Sequence, residues 1–133
     1  MRYLLLYFLI CFSSSALALD LTIANKAKYD VTYAQTNTEL KKGLMFVKNL
    51  PRHQGMLFDL RKHPNTAMWM KNTYIPLDML FINCERQIVD IKENCSPNSL
   101  ERIISSKPFC YVLEINSGEV TDKNLKVGDI INF

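Results

Sequence analysis

The sequence predicts an α+β domain, predominantly antiparallel β: a small barrel-like or closed sandwich domain with two short helices. Three observations carry that reading. Several short segments alternate apolar and polar side chains with a period of two, the pattern of strands with one buried face. Helical periodicity is confined to two brief stretches. Turn-forming residues recur between the segments, and about seven strands in so short a chain are expected to curl so that few edges stay open.

Residues 1 to 18 read as a secretory signal. Arg2 is its positive n-region, Tyr3 to Phe12 its apolar h-region, and Ala16-Leu17-Ala18 an A-x-A cleavage site before Leu19. The apolar run is too short to cross a bilayer as a helix, which takes about 20 residues. Lipid attachment at Cys11 is disfavoured by Ile10, which stands where lipoprotein signals carry a small residue. The product, residues 19-133, is expected to be exported to the periplasm or beyond, with no stable membrane insertion after cleavage.

In that product, Leu19, Leu21 and Ile23 alternate with Asp20 and Thr22, and Tyr29, Val31 and Tyr33 with Asp30 and Thr32, giving two half-buried strands. Thr36-Asn37-Thr38-Glu39 is a capping box, and Leu40, Leu44 and Val47 continue it as one stripe, so a short helix is expected to end near Val47. Pro51 and Gly55 punctuate a loop. Met56 to Leu60, Ala67 to Lys71, Leu77 to Asn83 and Gln87 to Lys92 follow as strands, the last two a hairpin about Asn83-Cys84-Glu85-Arg86. On the next strand Tyr111, Leu113 and Ile115 point inward, alternating with Val112 and Glu114. Gly118 turns the chain, Glu119 to Leu125 forms a weak second helix, and Ile130 to Phe133 is the last strand.

Without the signal, 115 residues remain (133 less 18), enough for one core and not for two domains. Fifteen Lys and Arg (16 less Arg2) against 13 Asp and Glu leave a net charge of +2, dispersed along the chain, so no nucleic-acid partner is expected. Cys84, Cys95 and Cys110 can pair in three ways in an oxidising compartment. The expected bond is Cys95 to Cys110, because these bracket the irregular, proline-bearing segment 96–109, and closing it removes about 3 kcal/mol of unfolded-chain freedom. Cys84 would then be a lone thiol. No C-x-x-C or H-x-x-x-H spacing supports a metal, no glycine-rich phosphate loop or G-x-S-x-G is present, and no cofactor is expected. His53 and His63 read as exposed loop residues, and Met45, Met56, Met68, Met70 and Met79, which lack regular spacing, as core filler.

Six blocks occur in order: Gly43-Leu44-Met45, Gly55-Met56-Leu57-Phe58, Trp69-Met70-Lys71-Asn72-Thr73, Ile75-Pro76-Leu77-Asp78, Tyr111-Val112-Leu113-Glu114 and Val127-Gly128-Asp129. In sequence and spacing they resemble domain-of-unknown-function family 192, small and often exported bacterial and archaeal proteins, over roughly Leu21 to Phe133. The resemblance implies a β-rich single domain without an established activity. Two positions depart from the family pattern: Val47 stands where relatives often carry Arg, and Glu119 where they often carry Trp.

The segment from Met68 to Asp78 is the expected site. Trp69 offers a flat apolar wall, while Lys71 and Asn72 offer ammonium and amide donors for a carboxylate, a phosphate or a sugar hydroxyl. Asp78 lies close by in sequence, and a buried Lys and Asp persist mainly when paired or functional. Three readings follow: a ligand site of Trp69, Lys71, Asn72 and Asp78, an enzyme with Lys71 and Asp78 as acid and base, or a structural cluster with Trp69 as core, a Lys71–Asp78 ion pair and Asn72 in a turn. Binding of a small ligand or an envelope protein is the expected function, ahead of catalysis and of a flat interaction surface.

Overall fold

The computed structural model describes residues 16–133; the n-region and apolar run assigned to a secretory signal lie outside them. Seven strands and two short helices follow one another: β1 (Leu17–Ile23), β2 (Ala27–Ala34), α1 (Asn37–Lys42), β3 (Gln54–Asp59), β4 (Leu77–Ile82), β5 (Ile88–Cys95), β6 (Tyr111–Asn116), α2 (Glu119–Asp122) and β7 (Ile131–Asn132). Cleavage after Ala18 would fall inside β1 and leave it to begin at Leu19, opposite Val31.

All seven strands form one sheet in the order β5-β4-β6-β3-β2-β1-β7. Every pairing is antiparallel except β2 with β3, whose parallel register requires a crossover, supplied by α1 and the loop after it. The sheet curls until its two ends touch at one corner, where Gln87 bridges Ile130 and the amide of Ile88 donates to the carbonyl of Asp129 at 3.0 Å. This is a curled half-barrel of mostly antiparallel strands with two short helices, in keeping with the barrel-like α+β domain expected from the strand count.

Both faces of the central strands are buried. Side chains from all seven strands meet on the inner face, among them Leu21, Tyr29, Leu57, Leu80, Ile88, Leu113 and Ile131, with Val120 and Leu125 closing one end. The alternate residues of β3, β4 and β6, namely Phe58, Met79, Phe81 and Val112, face a second core covered by Leu44, Leu60, Met68 and Met70 from the connecting segments. Two-sided burial explains why β4 reads as a near-continuous apolar run, Leu77 to Ile82, broken only by Asp78.

Four expectations are corrected. Helix α1 keeps its capping box, with the Glu39 amide donating to Thr36 Oγ1 at 3.2 Å, but ends at Lys42 because Gly43 turns the chain at φ +47. Leu44 and Val47 pack as turn residues rather than as helix. The second helix is also shorter than read, ending at Asp122, while Leu125 still packs inward. Ala67 to Lys71 is not a strand: its sole ladder contact is the bridge between Met68 and Ile103, because the neighbouring chain is the irregular segment after β5. The disulfide joins Cys84 to Cys110, not Cys95 to Cys110, with their Cα atoms 5.2 Å apart. The register of β4 on β6 decides this, because Ile82 pairs with Tyr111 and brings the β4–β5 turn beside Cys110. Cys95 sits opposite Leu77, at the other end of the hairpin, and is a buried free thiol whose pKa is pushed up to about 11, mainly by burial.

Candidate functional site

Strand β6 carries one carboxylate, Glu114, on the outer face of the sheet. Its partners in the ladder are Met56 on β3 and Met79 on β4, so methionines flank the acid on both sides. Its side chain is buried, at 4% exposure, and takes no hydrogen bond from any described residue. Burial alone pushes its pKa up to about 8, since a carboxylate loses water there and gains no compensating donor. Glu114 is therefore largely a neutral acid at pH 7, able to donate as well as accept.

The acid lies at the base of a cleft of about 790 Å³. One wall is α1 and the loop after it, with Leu40, Leu44 and Phe46; the sheet supplies Phe58; Met68 and Trp69 form the opposite wall. These walls are held by local rules. Gly43 lies against Phe58, where an added Cβ would stand 3.1 Å from the ring. Gly55 lets β3 approach β6, since a Cβ there would sit 2.6 Å from the carbonyl oxygen of Glu114 itself. The amide of Phe46 donates to the carbonyl of Asn72 at 2.9 Å, tying one wall to the other.

The residues expected to form the site are divided between two places. Met68 and Met70 are pinned through Ile103 and Ser99 and point inward, which turns Trp69 outward at 46% exposure. Trp69 is thus a cleft wall and not core. Lys71 also lines the cleft and lies over the Trp69 ring, 5.0 Å from its centroid. Asn72 is the positive-φ residue (φ +53) of the turn from Met70 to Thr73, a conformation Asn tolerates well, and it contributes backbone rather than side chain.

Asp78 does not join them. It alternates with Leu77 and Met79 and so faces the inner side of the sheet, where its carboxylate accepts from the amides of Asn94 (2.9 Å), Gly118 (3.1 Å) and Val120 (3.0 Å). The Lys71–Asp78 ion pair and the acid–base pair built from it are both excluded by this geometry, because the sheet lies between the two side chains. Asp78 holds the turn that starts α2.

A second buried acid, Glu119, differs from Glu114 in having partners. Tyr29 donates to it at 3.2 Å, and the Nε of Arg52 lies 3.3 Å from its other oxygen, close enough for an ion pair though out of line for a hydrogen bond. Beside the cleft is a smaller polar recess where Arg61 holds Asp59 at a pKa of about 2; His63 borders both. Among the described residues no three His, Cys, Asp or Glu side chains converge as metal ligands.

Sequence reasoning missed Glu114 because alternation with Leu113 and Ile115 assigned it to a solvated face. Its signal was an acid inside a strand with no other polar residue between Tyr111 and Ile115.

The comparisons with known proteins agree with the fold and leave the chemistry open. The profile of domain-of-unknown-function family 192, described as "Uncharacterized ACR", matches residues 20–133. No curated protein matches significantly. A crystal structure of a protein of unknown function from Novosphingobium aromaticivorans DSM 12444 superposes with a TM-score of 0.85 at 31% identity, covering 91% of this chain and 89% of that one. A second, from Sinorhizobium meliloti 1021 and provisionally assigned as a transcription regulator, superposes with a TM-score of 0.83 at 35% identity, covering 89% of this chain and 95% of that one.

Proposed function

The chain belongs to domain-of-unknown-function family 192, and we propose that it is an exported binding module that takes a small amphipathic organic molecule into the cleft above Glu114. One observation carries this reading: a buried carboxyl without a partner opens into a cleft walled by Leu, Met, Phe and Trp side chains. A ligand whose apolar body displaces water from the cleft would strand this carboxyl at a cost of roughly 1–3 kcal/mol, and a hydrogen-bonding group placed against it avoids that cost. The cleft's size suits a small molecule, since ligand sites commonly fall between about 300 and 1,000 Å³.

In this reading Trp69 is the apolar wall and Lys71 the cation at the mouth. Asn72 positions both, and Asp78 supports the scaffold from the far side of the sheet. Export is supported by the signal-like residues 1 to 18 and by the Cys84–Cys110 bond, which suits an oxidising compartment. Among the described residues no helix is long and apolar enough to cross a membrane. Transcriptional regulation, the assignment carried by the S. meliloti neighbour, is not adopted, because the basic residues here are dispersed along the chain and balanced by 13 acids.

Thermal-shift screening of amphipathic small molecules tests the proposal. Hits should stabilise the wild type, by about 2.7 kcal/mol at 100 times the dissociation constant, and act more weakly on Glu114→Met and Trp69→Ala. Hits that act equally on all three proteins would refute the site.

A further inference from the structure

Charge is distributed unequally along the cleft. Its lining holds three lysines, Lys41, Lys42 and Lys71, together with His63, and a single carboxylate, Glu114. None of the three lysines forms an ion pair with a described carboxylate. All three are exposed, two at the end of α1 and one on the facing turn, whereas Glu114 is buried at the base. Between mouth and base the lining is apolar, formed by Leu40, Leu44, Phe58 and Met68.

We infer that the ligand is an apolar carboxylate carrying a hydrogen-bond donor at its far end, its anionic group held at the lysine mouth and its donor, a hydroxyl, placed on Glu114. The inference rests on the cleft being a ligand site and adds the ligand's polarity and orientation. Two facts require both ends. An apolar tail against Glu114 would shut water away from a carboxyl that takes no hydrogen bond from the described residues, and would offer nothing in its place. A cationic head at the mouth would meet three uncompensated like charges, while an anion meets three opposite ones where solvent screening is only partial. Trp69, already stacked under Lys71, covers the apolar middle.

Calorimetric titration of the purified protein with three matched probes separates this inference from the cleft reading beneath it. The probes are 10-hydroxydecanoate, decanoate and 1,10-decanediol. The hydroxy acid should bind at least tenfold more tightly than the diol and severalfold more tightly than decanoate. The advantage over the diol should shrink in high salt and disappear in the Lys41→Gln, Lys42→Gln, Lys71→Gln triple variant. The advantage over decanoate should disappear in Glu114→Met, which keeps the side chain's length and removes its hydrogen-bonding atoms. Diol binding equal to or tighter than the hydroxy acid would overturn the anion assignment and leave the cleft reading standing. Equal binding of decanoate and the hydroxy acid would overturn the donor assignment. Failure of all three probes to bind at millimolar concentration would overturn the inference and the cleft reading together.

Discussion

Glu114 and Asp78 are both buried acids, far apart in sequence yet on neighbouring strands, and their environments set opposite roles. Asp78 has three amide donors and no access to the cleft, so Asp78→Ala should destabilise the fold by roughly 3 kcal/mol, read from denaturant midpoints, because three buried amides lose their acceptor. Lys71→Met should change stability by less than about 1 kcal/mol, since it removes one exposed cation–π contact. Glu114 has no donor, and its effect is pH-dependent. Between the ordinary glutamate value of 4.5 and about 8, the unfolded chain has lost this proton while the folded chain keeps it. The folded state then binds more protons, and stability falls as pH rises through that window. Glu114→Gln should remove this part of the slope and be more stable than wild type by about 2–4 kcal/mol above pH 8. Parallel curves for the two proteins between pH 5 and pH 8 would contradict it.

At the scale of elements, the cleft depends on two close approaches and a short helix. Gly55→Ala forces a methyl to within 2.6 Å of the Glu114 carbonyl, so β3 and β6 must part. A loss of about 2–4 kcal/mol is expected, with reduced binding of any cleft ligand. Thr36→Ala removes half of the α1 capping box and should cost about 1 kcal/mol. That helix was legible in the sequence because capping is local chemistry, as was the β4–β5 hairpin, whose turn closes through Asn83 and Gln87. The segment Ala67 to Lys71 was misread for a non-local reason: its alternation is real, with Met68 and Met70 inward and Trp69 outward, but its neighbour is a loop and not a strand. Half of the candidate site was therefore visible, in Trp69 and Lys71. The other half was hidden because period two cannot distinguish a solvated face from a face buried under connecting segments, which is where Glu114 points.

For the molecule as a whole, the strand order places β6, β3 and β2 at the centre and β5 and β7 at the edges, and the Cys84–Cys110 disulfide ties the β4–β5 turn to the start of β6. The bond closes a segment of 26 residues, and the chain-entropy model assigns it about 3–4 kcal/mol. Reduction, or Cys84→Ser with Cys110→Ser, should lower stability by that order, whereas Cys95→Ala should leave the disulfide intact. Non-reducing peptide mapping that recovers Cys95 in a bond would contradict the fold's register. The pairing was not legible in the sequence because it follows from β4 lying on β6, a contact between strands separated by a whole hairpin and loop.

The central claim, a buried acid at the base of a ligand cleft, is tested most directly by following the side-chain carboxyl carbon of Glu114 by NMR as a function of pH, with and without 10-hydroxydecanoate. In the free protein it should titrate near 8, and the ligand should shift both its resonance and its midpoint. A midpoint near 4.5 in the free protein, unmoved by ligand, would mean that water already satisfies the carboxyl and that the cleft holds no such site.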